Sequence, residues 1–346
     1  MAITAQAQAL WRPERVYLNT ASFGLPPTPV LEALDAAHAD WRAGRTSWEG
    51  WGDETEAARA AFARLCDVPA DRVAVGSIVS ALVGLVAAAL PDGARVVIAE
   101  GEFTSLLFPF LVHADRGVEV VEVPVPRVAE AVDAGTTLVA VSAVQSATGE
   151  VADLHAIAAA AAHHGSSTLI DATQAVGWLP IDAGRFDAVV CGAYKWLCSP
   201  RGTSFMAVGE DFAERLRPLH AGWYAGESVH ESYYGSPLRL ARSARRFDVS
   251  PAWQAWIGTR PALETLEQIG INAINEHDVA LANRFRAGLG LPPGNSAIVS
   301  AAVPRAAERL ERARIMASTR AGSLRCSFHV YNTEADVDAA LDALIG

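Results

Sequence analysis

The segment CGAYKWLCSPRG, residues 191–202, sets a single lysine, Lys195, between two aromatics at the end of an apolar run and ahead of a Pro/Gly turn. Such a lysine is either a solvated surface charge or an amine drawn into the fold, where loss of water lowers its pKa and makes it a nucleophile and a base. A second apolar run, STLID (167–171), ends on Asp171, and Gln174 follows on the turn. Taken singly, an acid after a strand is a cap or turn former and a lysine there is solvated. Taken together, a carboxylate and an amine leaving neighbouring strands of one sheet face the same crevice, where ligands bind in open α/β sheets. No GxGxxG follows the first strand and no GxxxxGK[ST] occurs, which argues against a nicotinamide or ATP enzyme.

These positions require a sheet, and the spacing of apolar runs predicts one. RVAVGS (72–77), ARVVIAE (94–100), a run near 118–123, TLVAVSAV (137–144), STLIDA (167–172), FDAVVCGAY (186–194) and TSFMAV (203–208) read as strands. Between them, SALVGLVAAAL, a stretch opening at Thr104, and DLHAIAAAAAHHG read as helices, the last with Asp153 as N-cap and Gly165 as its stop. Strands alternating with helices imply an α/β fold with a mostly parallel sheet covered on both faces. After about residue 236 the texture changes to longer helical stretches, then SLRCSFH and TEADVDAALDALI, a smaller α+β unit. The expected division is a large domain over 15–235 and a small one built from 1–14 and 236–346, packed closely because no low-complexity linker separates them.

Of the 346 residues, 51% are apolar, enough for a large core, and the net charge of -11 argues against nucleic acid or an anionic membrane surface as the main partner. A small-molecule substrate is expected. The N-terminus shows no basic stretch leading into an apolar one, and the most apolar run (78–90) stops at Pro91, too short to span a bilayer. The expected location is the cytoplasm. Cys66, Cys191, Cys198 and Cys326 lack metal-type spacing and read as buried reduced thiols, with no metal expected.

Four ordered motifs carry a resemblance across nearly the whole chain. Tyr17-Leu18-Asn19-Thr20-Ala21-Ser22-Phe23-Gly24, Asp171-Ala172-Thr173-Gln174, Tyr194-Lys195-Trp196-Leu197 with Pro200-Arg201-Gly202, and Leu324 to Thr333 resemble the signatures of the class V aminotransferase family. These are fold-type I enzymes dependent on pyridoxal 5'-phosphate. The resemblance implies a large domain with a seven-stranded sheet, a smaller C-terminal domain, and a homodimer whose active sites are shared.

It also implies roles. Lys195 would hold the cofactor as a Schiff base and then move the substrate proton. Asp171 would pair with the pyridine nitrogen, Gln174 with the ring's phenolic oxygen, and Phe103 would stack on the ring. Ser77, Ile78 and Val79, between strand and helix, would hold the phosphate through main-chain N–H groups and the Ser77 hydroxyl. Tyr194 resembles the phosphate-reaching tyrosine of kynureninase-like members, while Gly192 replaces a serine that commonly helps. The segments around Trp223 and Ser250 would reach across the dimer to the cofactor. Arg325 would grip the substrate α-carboxylate through two parallel hydrogen bonds, with Asn19, Ser22 and Ser146 as further substrate contacts.

The cofactor supports several reactions, and the protein selects among them. A cysteine desulfurase needs a mobile cysteine shortly before the carboxylate-binding arginine, and RIMASTRAGSL (314–324) has none. The motifs most resemble kynureninase-like, isopenicillin N epimerase-like and ergothioneine-pathway C–S lyase members. The expected reaction is C–S cleavage of an S-substituted cysteine or its sulfoxide, giving pyruvate and ammonia. An aminotransferase or epimerase is the alternative, and a non-catalytic binding protein on the same fold is disfavoured by the presence of Asp171, Gln174 and Lys195 together.

Overall fold

A computed structural model describes residues 3–346. Seven apolar runs form one sheet: β1 (Val73–Gly76), β2 (Arg95–Ala99), β3 (Glu119–Val123), β4 (Leu138–Ser142), β5 (Ser167–Asp171), β6 (Ala188–Gly192) and β7 (Ser204–Val208), in the spatial order β1-β7-β6-β5-β4-β2-β3. Strands β3, β2, β4, β5 and β6 run parallel, whereas β7 is antiparallel to both β6 and β1. β4 and β6 are buried along their full length, which is why they read as unbroken apolar runs. The outer strand β3 has no fully buried residue and exposes Glu119 and Glu122, charges that discourage pairing at an edge.

Successive strand residues feed two cores. Val97, Val139, Ile170 and Val189 pack with Phe62, Ile157, Trp256 and Leu263 on one face, from helices α3 (Trp48–Leu65), α6 (Leu154–His164) and α8 (Trp253–Ile269). Val96, Ile98, Leu138 and Leu169 pack on the other against Leu82, Val83, Leu106 and Phe110 of α4 (Val79–Ala89) and α5 (Thr104–Leu111). The other α-helices before Gly270 are α1 (Ala5–Gln8), α2 (Thr28–Arg42) and α7 (Glu210–Ala213). α6 begins and ends where its sequence says: the Asp153 carboxylate accepts from Ala156 N–H at 2.9 Å, and Gly165 closes it in the left-handed region.

The C-terminal part comprises α9 (Ile271–Gly288), β8 (Ile298–Ala301), α10 (Ala306–Arg312), β9 (Ser318–Arg320), β10 (Ser323–Ser327) and α11 (Glu334–Ile345), with an antiparallel sheet ordered β8-β10-β9. The N-terminal segment joins it: Tyr17 bridges Met316, Asn19 bridges Ser327, and Gln8 Nε2 donates to the Val330 and Asn332 carbonyls. The helical stretch read after residue 260 divides at Gly270, whose φ of +92° breaks it into α8 and α9. Because α8 packs on α2 and α3, we propose that the small domain begins near Gly270 rather than at 236, and that it takes in residues as far as Asn19. Residues 1 and 2 of the expected 1–14 portion lie outside the described residues. Among the described residues no helix is long and apolar enough to cross a membrane, and no group of three or more His, Cys, Asp or Glu is placed to hold a metal.

Candidate active site

The parallel strands deliver Asp171 and Lys195 to one place, since β5 and β6 are adjacent and both residues lie at or beyond their carboxyl ends. A cavity of about 330 Å³ opens there, lined by Ser77, Ile78, Val79, Phe103, Ser146, Asp171, Gln174, Tyr194 and Lys195, all expected from the sequence. It is also lined by Ser80, Thr104, Ser105, Ser142, Thr173, Gly192, Arg201 and Thr203.

Lys195 is 6% exposed, and its Nζ makes no hydrogen bond or ion pair among the described residues. The amine instead lies 5.3 Å from the centre of the Phe103 ring and 5.8 Å from that of Tyr194. Burial pushes its pKa down to about 8; the Asp171 charge opposes this, while Arg325 and Arg320 push further down. Asp171 is buried, and its Oδ1 accepts from Thr173 N–H at 2.9 Å. Burial raises its carboxyl above the usual range, more than the Thr173 hydrogen bonds and Lys195 lower it.

Phe103 is 49% exposed on the cavity wall, an apolar face open to a ligand rather than a core residue. Gln174 holds a central position: its Nε2 donates to Ala21 O and Ser146 Oγ, both at 3.0 Å, and its Oε1 accepts from Trp196 Nε1 at 2.7 Å. At the start of α4 no side chain caps the helix, so its first N–H groups are free to meet an anion beside Ser77. The start of α5 is likewise uncapped, with Thr104 and Ser105 on the cavity.

Arg325 is 1% exposed and reaches this site from β10. Its Nη2 donates to Ser22 Oγ at 2.7 Å, its Nη1 to Ser146 O and Oγ, and its Nε to Ser318 Oγ at 3.2 Å. No carboxylate pairs with it among the described residues, and burial, with Arg320 nearby, lowers its pKa to about 10. Arg320 donates to the same Ser22 oxygen at 3.2 Å. Asn19 lies close by on the small sheet, bridged to Ser327, its Oδ1 buried without a partner.

Trp223 and Ser250 do not join this cavity. Trp223 packs among Trp48, Tyr224, Tyr233 and Trp253. The segment before Ser250 is anchored at the free edge of β1, where Asp248 Oδ1 accepts from Val75 N–H at 2.8 Å, leaving Ser250 exposed. Within one chain, neither residue lines the cavity at Lys195.

Sequence reasoning missed Glu102. Buried next to Phe103, its carboxylate accepts from Ser142 N–H at 2.6 Å and Ser142 Oγ at 2.5 Å. Burial raises it to about 7, against those bonds and helped by the Asp171 charge. The signal was available, since Glu102 is an acid just past an apolar strand, as Asp171 is.

One glycine explains a motif. A Cβ on Gly24 would stand 1.9 Å from the Lys195 carbonyl oxygen, and Gly24 N–H donates to Tyr194 O at 2.9 Å. The N-terminal motif therefore ends in glycine because the lysine loop crosses it there.

Buried cation, buried anion, exposed aromatic face, uncapped helix start and unpaired guanidinium together suit a flat aromatic group with an anionic arm, joined to an amino acid. The model of the family described as aminotransferase class-V matches residues 16–311. The uncharacterized aminotransferase YcbU of Bacillus subtilis (strain 168) is 28% identical over 91% of this chain and 90% of its own length. Isopenicillin N epimerase of Streptomyces clavuligerus is 26% identical over 99% and 98%. The solved complex of the cystine C-S lyase C-DES with cysteine persulfide superposes with a TM-score of 0.86 at 22% identity, covering 96% of this chain and 97% of that one. The match over residues 16–311, which takes in the whole large sheet and the lysine loop, shows that this chain belongs to the class V aminotransferases, enzymes dependent on pyridoxal phosphate.

Proposed function

We propose that this chain is a C–S lyase that cleaves an S-substituted cysteine, or its sulfoxide, to pyruvate and ammonia, with Lys195 as the base. The observation that carries the assignment of the base is the desolvated Lys195 amine beside buried Asp171, with no partner of its own. Near neutral pH an amine with a pKa of about 8 both gives and takes a proton, as the removal of the Cα proton and its later return require.

Pyridoxal phosphate, when bound, supplies an electron sink for the bond broken at Cα. Lys195 Nζ would hold it and then carry the proton. The Asp171 carboxylate would keep a ring nitrogen protonated, and the Phe103 face would cover the ring. Gln174 can turn an N–H from Ser146 to a phenolic oxygen, and the start of α4, with Ser77, Ile78, Val79 and the Tyr194 hydroxyl, would hold the phosphate. Arg325 would exchange its serine contacts for the substrate carboxylate, with Ser22, Ser146 and Asn19 beside it.

The choice of reaction is supported by the thiols. All four cysteines are buried and free, and none lines the cavity. Cys326 sits in the core of the small domain, where burial pushes its thiol up to about 12. Sulfur would therefore leave with its own substituent rather than pass to an enzyme thiol. The aminotransferase and epimerase relatives favour a second reading, proton transfer without loss of the β-substituent. The positions of Trp223 and Ser250 outside their own chain's cavity support a homodimer in which each completes the partner's site.

The test is the visible absorption spectrum of the protein with pyridoxal phosphate, before and after an S-alkyl cysteine sulfoxide, with pyruvate assayed in the same cuvette. A band that changes while pyruvate accumulates is the expected result. A change without pyruvate favours transamination or epimerisation, and no band at all overturns the role of Lys195.

A further inference from the structure

His329 lies two residues past the end of β10, fully buried, and its two ring nitrogens face two acceptors. Nε2 is 3.0 Å from the carbonyl oxygen of Trp196, and Nδ1 is 2.9 Å from Oδ2 of Asp278 on α9. A carbonyl oxygen can only accept, so Nε2 carries a proton. Asp278 is fully buried too, its Oδ1 has no partner among the described residues, and burial raises its carboxyl above the usual range. Nδ1 and Oδ2 cannot both be bare acceptors at 2.9 Å, so a proton lies between them while the Nε2–H stays on the Trp196 carbonyl. The pair's other polar neighbours are His277 beside Asp278, and the Cys198 thiol and the Tyr331 ring beside the imidazole. Burial works against the charged ring, but Asp278 outweighs it, and the His329 pKa rises to about 10.

The carbonyl that His329 grips belongs to the residue after Lys195. It is boxed from the opposite side by Gly177, where an added Cβ would stand 2.4 Å from the same oxygen. The Trp196 indole is held in turn by Gln174. We propose that His329 is a positioning residue: held by its hydrogen bond to Asp278, it pins the Trp196 carbonyl and so fixes the backbone that keeps the Lys195 amine desolvated over Phe103. Helix α9 thereby acts on the lysine through two side chains, without touching the cofactor or substrate.

The inference rests on Lys195 being the reacting amine, and the experiment separates the two. Competitive acetylation of the full chain, free of cofactor, read by mass spectrometry across pH, gives the titration midpoint of Lys195 without reference to activity. His329→Phe keeps a flat ring against Trp196 and Tyr331 but donates nothing; His329→Gln retains one N–H for the Trp196 carbonyl. The phenylalanine variant is expected to move the Lys195 midpoint up by about one unit and to lower kcat for pyruvate release from S-methylcysteine sulfoxide roughly ten- to hundredfold, the scale of losing a hydrogen bond from a charged donor. KM should stay within about twofold, because the substrate grip is elsewhere. The glutamine variant should recover most of both. An unchanged midpoint and kcat in the phenylalanine variant, with only the melting temperature lowered, overturns the proposal. If that variant does not fold, Asp278→Asn carries the same test, and an unchanged midpoint and rate there overturn it equally. A pyridoxal phosphate band that survives Lys195→Ala unaltered would instead sink the reading of Lys195 itself.

Discussion

At the free edge of the large sheet, Arg59 and Asp248 are both buried and bound to each other, with Nη2 to Oδ2 at 2.6 Å. Arg59 also donates to the Val73 carbonyl at 2.6 Å and to both oxygens of Glu56 at 2.9 Å, while Asp248 accepts from Val75 N–H. At the strand ends, Lys195 and Asp171 are buried almost as deeply, yet no hydrogen bond joins them and a cavity opens beside them. The first pair is closed on itself and covers the backbone groups of an edge strand. The second leaves its charges facing space, which costs stability and keeps them available for a ligand. The two sites differ in what each charge still lacks: nothing at Arg59 and Asp248, a partner at Lys195.

The sharpest break of this contrast is Lys195→Met, which should lower pyruvate release about a thousandfold or more while leaving a folded chain, as a steady-state assay beside circular dichroism will show. At the closed pair the loss should fall on stability: Asp248→Ala leaves buried Arg59 with Glu56 as its one carboxylate and Val75 N–H without its acceptor, and should cost about 3 kcal/mol in urea unfolding. Lys195→Met should do the opposite to the cofactor-free chain. The folded pKa of about 8 lies below the unfolded 10.5, so the unfolded state binds more protons and the lysine chain gains stability as pH rises through that window. Below it the charged amine costs up to about 3 kcal/mol, and the methionine variant should melt higher at pH 7, with the gap closing by pH 10.5. Arg325→Ala should raise KM for an amino acid roughly ten- to hundredfold and that for a carboxylate-free amine far less. The smallest effect belongs to Gly192→Ser, whose Cβ would make only 3.4 Å contacts with Thr173 and Val79. It should leave stability within about 0.5 kcal/mol and tighten pyridoxal phosphate binding, measured by fluorescence titration.

The strands, and the cavity residues on them, were legible because a buried parallel strand writes itself as an unbroken apolar run and a functional group stands where that run stops. Asp171 and Lys195 followed from this, whereas Phe103 came only from the resemblance to the family. Arg59, Asp248, Asp278 and His329 did not follow, because each looks like an ordinary helix or loop charge until its partner arrives: Arg59 and Asp248 are 189 residues apart, Asp278 and His329 are 51. The packing of the helix over 253–269 on α2 and α3 was not legible for a related reason, since its partners lie far back along the chain, where periodicity cannot bridge.

The lysine carbonyl pressed against Gly24 also bears on how the molecule is made. Segment 17–24 is synthesised well before what it lies on: the lysine loop at 194–195, then Met316 and Ser327. Gln8 waits longer still, for Val330 and Asn332. Contacts of such sequence separation close slowly, so a nascent chain can build its large sheet while the cavity beside Lys195 stays open until residues 316–332 have been made. Gln8→Ala, which removes two of these late contacts, should therefore loosen the N-terminal segment well before it hurts the bulk of the fold.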